Sequence, residues 1–300
     1  MKRKQMEQTL RDAVHKSAPD VLGSVLSRCD EPLGEVLDMK TEQVKRKKWL
    51  VPVVSSAAAL VLMAGALLGF GLYRTGNRVD SVIGFDVNPS IELKINKKER
   101  VLEANALNGD AETVLDGMDL EGADLDVAVN AVIGSMLKNG YISELANSVL
   151  VSVENDDAKK GAALQQRIAQ EVDSLLRASS ISHAILSQTV ADDDEVVGLM
   201  DTYGISQGKA VLIQKLIAQD SRLKAEDLAG LTINELNLLA DARGGQLADT
   251  SASGNASDKA YIGMDAAKQR AFEAAGIDAA QAARVEVDFD VENGRMVYEV

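Results

Sequence analysis

Three hundred residues allow two or three modules, and an apolar fraction of 46% is ample for a core. Aromatics make up only 3%, so that core must be built from Leu, Val, Ile and Ala. One cysteine, Cys29, excludes an internal disulfide framework. With only His15 and His183 beside it no His/Cys zinc cluster can be assembled, and neither a metal nor another cofactor is expected. The net charge of −14 divides into +3 on residues 1–48 and −17 on the remainder, and so acidic a body argues against direct nucleic-acid binding.

Residues 1–48 are expected to be helical. Met6, Leu10, Ala13 and Val14, then Val21, Leu22, Val25 and Leu26, recur at helical spacing, broken at Ala18-Pro19-Asp20. Two short amphipathic helices bury little alone, so the segment is either a tail or a docking element for another protein. Residues 49–73 contain no charged side chain over 25 positions, with Trp49 and Tyr73 at the ends, and are expected to form a single transmembrane helix. Lys45-Arg46-Lys47-Lys48 abuts that stretch, which puts the N-terminus in the cytoplasm and the large C-terminal body outside the cell membrane.

Beyond it, Ile83, Phe85, Val87, Pro89, Ile91, Leu93 and Ile95 fall on odd positions, and Asp86, Asn88, Ser90, Glu92 and Lys94 on even ones. A period of two predicts a β-strand with one buried and one polar face, running straight through the Asn88–Pro89 bond because the parity does not slip there. Asn96–Arg100 reads as a turn and Val101–Ala106 as a partner strand, making a hairpin. Helices follow at Ala111–Met118 and Asp124–Lys138, a strand at Ser148–Val153, a long helix at Ala158–Ala178 and a strand at Ala184–Val190. Further helices open at Asp192–Glu195 and cover Ser206–Gln219 and Ala225–Leu239. Residues 79–243 thus form one α/β domain. Residues 244–258 read as a flexible polar linker. A small module over 259–300 holds a helix at Met264–Ala275, an alternating strand at Ala283–Asp290, a tight turn at Glu292–Arg295 and a return strand from Met296, and the protein is expected to continue beyond Val300.

Asn88–Pro89 invites a chemical reading. Asparagine usually degrades when the next residue's backbone nitrogen attacks its side chain, but proline has no N–H. The remaining route has the Asn88 side-chain nitrogen attack its own backbone carbonyl, closing a succinimide and expelling Pro89. A sheet that strains the bond would supply the near-attack geometry. Asp86 and Ser90 share the polar face and are candidates to assist proton transfer. The plainer reading is a bulge or kink.

The stretch Val82–Leu93, with Val101-Leu102-Glu103-Ala104-Asn105-Ala106-Leu107-Asn108 and the later Gly204-Ile205-Ser206 and Gly208–Ile213, resembles the extracytoplasmic middle domain of RsgI-like anti-sigma factors. Residues 261–300 resemble a PepSY module lacking its final strand. The resemblance implies self-cleavage with Asn88 as the attacking residue and Pro89 as the new N-terminus, the two pieces staying paired. It also implies a sigma factor bound through residues 1–48, released by regulated intramembrane proteolysis, so an intramembrane protease joins the expected partners. A cell-wall or carbohydrate ligand is a further candidate. The fold expected is therefore α+β: a helical cytoplasmic segment, one transmembrane helix, an α/β outer domain opening with a β-hairpin, and a partial PepSY-like module. No turnover enzyme is expected beyond that single cut. The competing reading is a membrane-anchored envelope adaptor or PepSY-type protease inhibitor with no sigma-factor partner.

Overall fold

The alternation over Val82–Ile95 produces two strands where one was expected. In the computed structural model, which describes residues 78–300 apart from Asp192, Ala279, Ala280, Gln281 and Ala283, strand β1 (Val79–Asp86) turns back through Val87–Pro89 into β2 (Ser90–Asn96). The two pair antiparallel, with Asp86 opposite Ser90, Phe85 opposite Ile91 and Ile83 opposite Leu93. Opposed residues in this register are both odd or both even. Parity therefore carries through the reversal unchanged, and an alternating pattern cannot tell this hairpin from a straight strand.

β3 (Val101–Ala106) pairs with β2 as expected. The full sheet adds β4 (Ser148–Asn155), β5 (Ala184–Val190) and β6 (Thr250–Gly254) in the order β3-β2-β1-β4-β5-β6. β1 is antiparallel to both β2 and β4, whereas β4 and β5 run parallel and are joined by a helical crossover, which makes the sheet mixed. β6 lies within the stretch read as a linker. Its small hydroxyl residues suit an edge strand whose side chains are mostly exposed.

Helices cover both faces of the sheet. On the odd face, Ile83, Phe85, Ile91, Leu93, Val149, Val151 and Val153 pack against α1 (Gly109–Leu115), α2 (Leu125–Lys138) and α3 (Ala158–Ala178). On the even face, Leu150 and Leu186 meet α5 (Gln207–Gln219), α6 (Ala225–Leu228) and α7 (Ile233–Ala242). A satellite cluster of Val196, Ala210 and Val211 ties α4 (Asp194–Tyr203) to α5. The even face, expected to be polar, is in fact roofed, and Asp86, Ser90, Ser152 and Gln188 are buried beneath it. One helix was expected over Ala225–Leu239, but Thr232 and Glu235 close a capping box that restarts the chain as α7. The C-terminal part comprises α8 (Met264–Ala275), ended by Gly276 in the left-handed region, and a two-stranded sheet of β7 (Asp288–Glu292) and β8 (Arg295–Glu299).

The expected fold needs one larger correction. Among the described residues no helix is long and apolar enough to cross a membrane, so the single transmembrane helix is not supported. The longest of them, α3, carries Lys159, Lys160, Arg167, Glu171, Asp173 and Arg177 among its 21 residues. Residues 49–73, where that helix was expected, and residues 1–48, where helices were expected, lie outside the described residues.

Candidate functional site

The β1–β2 reversal takes three residues, Val87 to Pro89. The Val87 N–H donates to the Pro89 carbonyl at 2.9 Å, leaving Asn88 exposed at the tip with φ 156°. Residues with a Cβ rarely adopt that backbone, which costs on the order of 1–3 kcal/mol and persists only where the surroundings enforce it. The reciprocal bond cannot form, because Pro89 has no N–H. The Val87 carbonyl instead accepts from the Ile233 N–H in the first turn of α7, at 3.1 Å. That N–H is one of the donors a helix leaves unpaired at its start. Downstream, the Ser90 carbonyl accepts from the Leu107 N–H at 2.9 Å, and the Ser90 N–H lies 3.4 Å from Asn108 Oδ1, the oxygen that caps α1. The bond between Asn88 and Pro89 is therefore pinned on one side to α7 and on the other to the entrance of α1.

Beneath the tip lies a buried acid. Asp86, 1% exposed, ends β1 between Ser90 on β2 and Leu150 on β4, and neither of its carboxylate oxygens has a hydrogen-bond partner. Burial pushes its pKa above the ordinary 3.8, and the Ser90 and Ser206 hydroxyls and Lys209 pull it partly back. The start of α5 presses onto this spot. A Cβ built on Gly208 would stand 2.2 Å from Ser152 Oγ and 3.0 Å from Asp86 Oδ2, so only glycine fits. Gln188 locks the approach, donating to the Gly208 carbonyl at 2.8 Å. Lys209, 9% exposed, is pulled below the usual lysine range by burial, with Asp86 and Glu235 opposing that shift.

Residues 80–215 match the model of the anti-sigma factor RsgI-like central domain. That stretch of the chain is similar to the RsgI-like central domain. Among curated relatives, the anti-sigma-I factor RsgI6 of Acetivibrio thermocellus is 31% identical over 198 residues, covering 62% of this chain and 26% of the relative. RsgI7 of the same organism is 26% identical over 192 residues, or 63% of this chain and 34% of its own length. RsgI9, also from that organism, is 38% identical over 108 residues, or 36% and 15%. The chain thus spans about a third or less of these three relatives. The family match ends at residue 215 and leaves the PepSY resemblance of residues 259–300 unsupported.

Of the residues singled out from sequence, the β1–β2 hairpin brings all four together: Asn88 and Pro89 at the tip, with Asp86 and Ser90 as opposed partners immediately below. Sequence reasoning missed the lid over them. Ser206, Gly208 and Lys209 were read as the start of a helix and as part of the resemblance, not as a lid. The available signal was a Ser N-cap followed by a glycine in the first turn of an apolar helix, a pattern that marks close approach of a helix to something beneath it.

Proposed function

We propose that this chain is an anti-sigma factor whose RsgI-like domain cuts its own backbone between Asn88 and Pro89 and holds the two pieces together. The anti-sigma role is supported by the names of the relatives that share the central domain. The cut is carried by one observation: Asn88 is held at φ 156° at the tip of a hairpin whose two sides are fastened to different helices. In the proposed step Asn88 Nδ2 attacks the Asn88 carbonyl carbon, and the C–N bond to Pro89 breaks. One proton passes in net terms from Nδ2 to the proline nitrogen. The products are a C-terminal succinimide and a free secondary amine, and no water is consumed until the succinimide opens. Asp86, whose pKa burial raises, is the candidate acid for the departing nitrogen, with Ser90 opposite it on β2.

After the cut, residues 79–86 remain in place as β1, hydrogen-bonded on one side to β2 and on the other to β4. Each such bond contributes about 1 kcal/mol net, so the tether is secure as a ladder and separable in principle. Residues 1–48 supply the sigma-factor-binding element. Placement of the body outside the cytoplasm belongs to the same proposal, and protease accessibility in intact cells tests it. The cut is tested with the full chain tagged at both ends. Under full denaturation the wild type is expected to run as residues 1–88 and 89–300, and Asn88→Ala as one band. A single wild-type band refutes it. For the partner, a sigma factor should co-purify with the full chain and be lost when residues 1–48 are removed.

A further inference from the structure

The segment after residue 260 grips α7 at both ends. At its start, the Tyr261 hydroxyl donates to Glu235 Oε1 at 2.9 Å, while Glu235 Oε2 accepts from the Thr232 N–H at 2.8 Å and from the Thr232 hydroxyl at 2.9 Å. The Tyr261 ring stands edge-on to Phe289 of β7 with centroids 4.9 Å apart. At the far end of α7, Arg243 donates to Asp290 at 2.5 Å and to the Phe289 carbonyl at 3.2 Å. Between these grips, the first helical N–H of α7, that of Ile233, holds the Val87 carbonyl beside the strained Asn88.

A backbone outlier persists only while its surroundings over-determine it. Because Pro89 cannot donate, α7 is what satisfies the Val87 carbonyl, and the position of the α7 start is set by the Thr232–Glu235 box to which Tyr261 is fastened. We infer that Tyr261 and Glu235 are positioning residues for the Asn88–Pro89 bond, so that docking of the C-terminal segment onto α7 sets the rate of self-cleavage. The inference rests on the self-cleavage reading. It adds that the cut depends on residues outside the matched domain and far along the chain.

The experiment is pulse-labelled cell-free synthesis of the full chain, following the appearance of residues 89–300 on denaturing gels. Tyr261→Phe removes one hydroxyl and is expected to slow first-order cleavage by about threefold to tenfold. Glu235→Gln preserves the capping geometry and should stay within about twofold of wild type. Glu235→Ala should be slow, and adding Tyr261→Phe to it should slow it no further, because both act through one contact. Tyr261→Phe at the wild-type rate, or effects that multiply in the double variant, overturns the inference while leaving self-cleavage standing. If the wild type is never cut, the self-cleavage reading falls first. The α7 linkage is then judged by amide exchange in the Asn88→Ala chain. Tyr261→Phe must speed exchange of the Ile233 N–H, and unchanged exchange refutes the linkage as well.

Discussion

Asp86→Asn isolates the buried acid. In the folded chain both carboxylate oxygens lack hydrogen-bond partners at 1% exposure, and burial raises the pKa above the ordinary 3.8. The sign follows from that direction. A group whose folded pKa is raised contributes most below its unfolded pKa, here 3.8, and its contribution is lost as pH climbs to the folded pKa. Wild type should therefore weaken with rising pH from about 4, and the amide, which does not titrate, should not share that slope. An unsatisfied buried polar group costs about 1–3 kcal/mol, more when charged. The Ser90 and Ser206 hydroxyls and Lys209 relieve part of that cost, so a gain of about 2 kcal/mol is expected at pH 8. For a body of this size that is a rise in Tm of about 4–8 °C. The assay is thermal and urea unfolding between pH 4 and pH 8 on the Asn88→Ala background, so that the chain is uncut and unfolding stays unimolecular. If Asp86→Asn is less stable than its parent at pH 8, or differs from it equally at every pH, the account of Asp86 as an unpaired acid is wrong.

Gly208→Ala should destabilise the same uncut chain by about 1–3 kcal/mol, since the new methyl meets Ser152 Oγ at 2.2 Å and Ser152 Cβ at 2.8 Å. Ser152→Gly should restore most of the loss, and urea midpoints decide. Arg243→Lys removes the fork that joins Asp220, Asp290 and the Phe289 carbonyl, and should expose β7–β8 to proteolysis at least tenfold faster while β1–β5 stay protected. Asp220 is held well below the usual carboxylate range by Arg222 first and Arg243 second. Its contribution is thus present above pH 3.8 and lost only in acid, so Arg243→Lys should matter least at low pH. Glu171 is pushed up to about 7, by burial first and by the Asp126 carboxylate second. Its side-chain carboxyl carbon should titrate near neutrality by NMR, and a midpoint near 4.5 would contradict the packing of α3 on α2. Phe85→Ala, wholly buried on β1, should loosen the complex of separately expressed residues 1–88 and 89–300 by about 100-fold or more. Equal retention of both forms in gel filtration at low concentration would show that β1 is not the tether.

Much of the fold could be read from local pattern. α3 and β5 fall where the periodicity put them, because an amphipathic helix with an Asp157 cap and a strand bounded by polar turns each announce themselves locally. The β1–β2 reversal did not, since parity is blind to a hairpin whose opposed residues share it, and Asn88–Pro89 was the only break in the pattern. β6 was hidden by composition: Thr250–Gly254 has no apolar alternation, and it becomes a strand only because β5 presents an unpaired edge. The four site residues were legible as a group because they are contiguous in sequence. Their lid was not, because Ser206 to Lys209 reach Asp86 only through the packing of α5 across the sheet.

The hairpin changes what a cut at Asn88–Pro89 would leave behind. Had one strand run through the bond, each half would have kept a few residues at a common edge. With the reversal at the tip, the N-terminal piece instead contributes β1 alone, and β1 is central, bonded to β2 on one side and β4 on the other. Ile83 and Phe85 from that strand are wholly buried in the odd-face core, and Asp86 is buried under α5 on the even face. Pulling β1 along its length must shear both ladders together and expose two cores at once, so the cut chain resists separation cooperatively. Asp86 works against retention, because its buried carboxyl makes no hydrogen bond inside and regains solvent on release. An acid placed at the end of the strand that must eventually leave weakens the tether as pH rises, without altering the ladder that holds it.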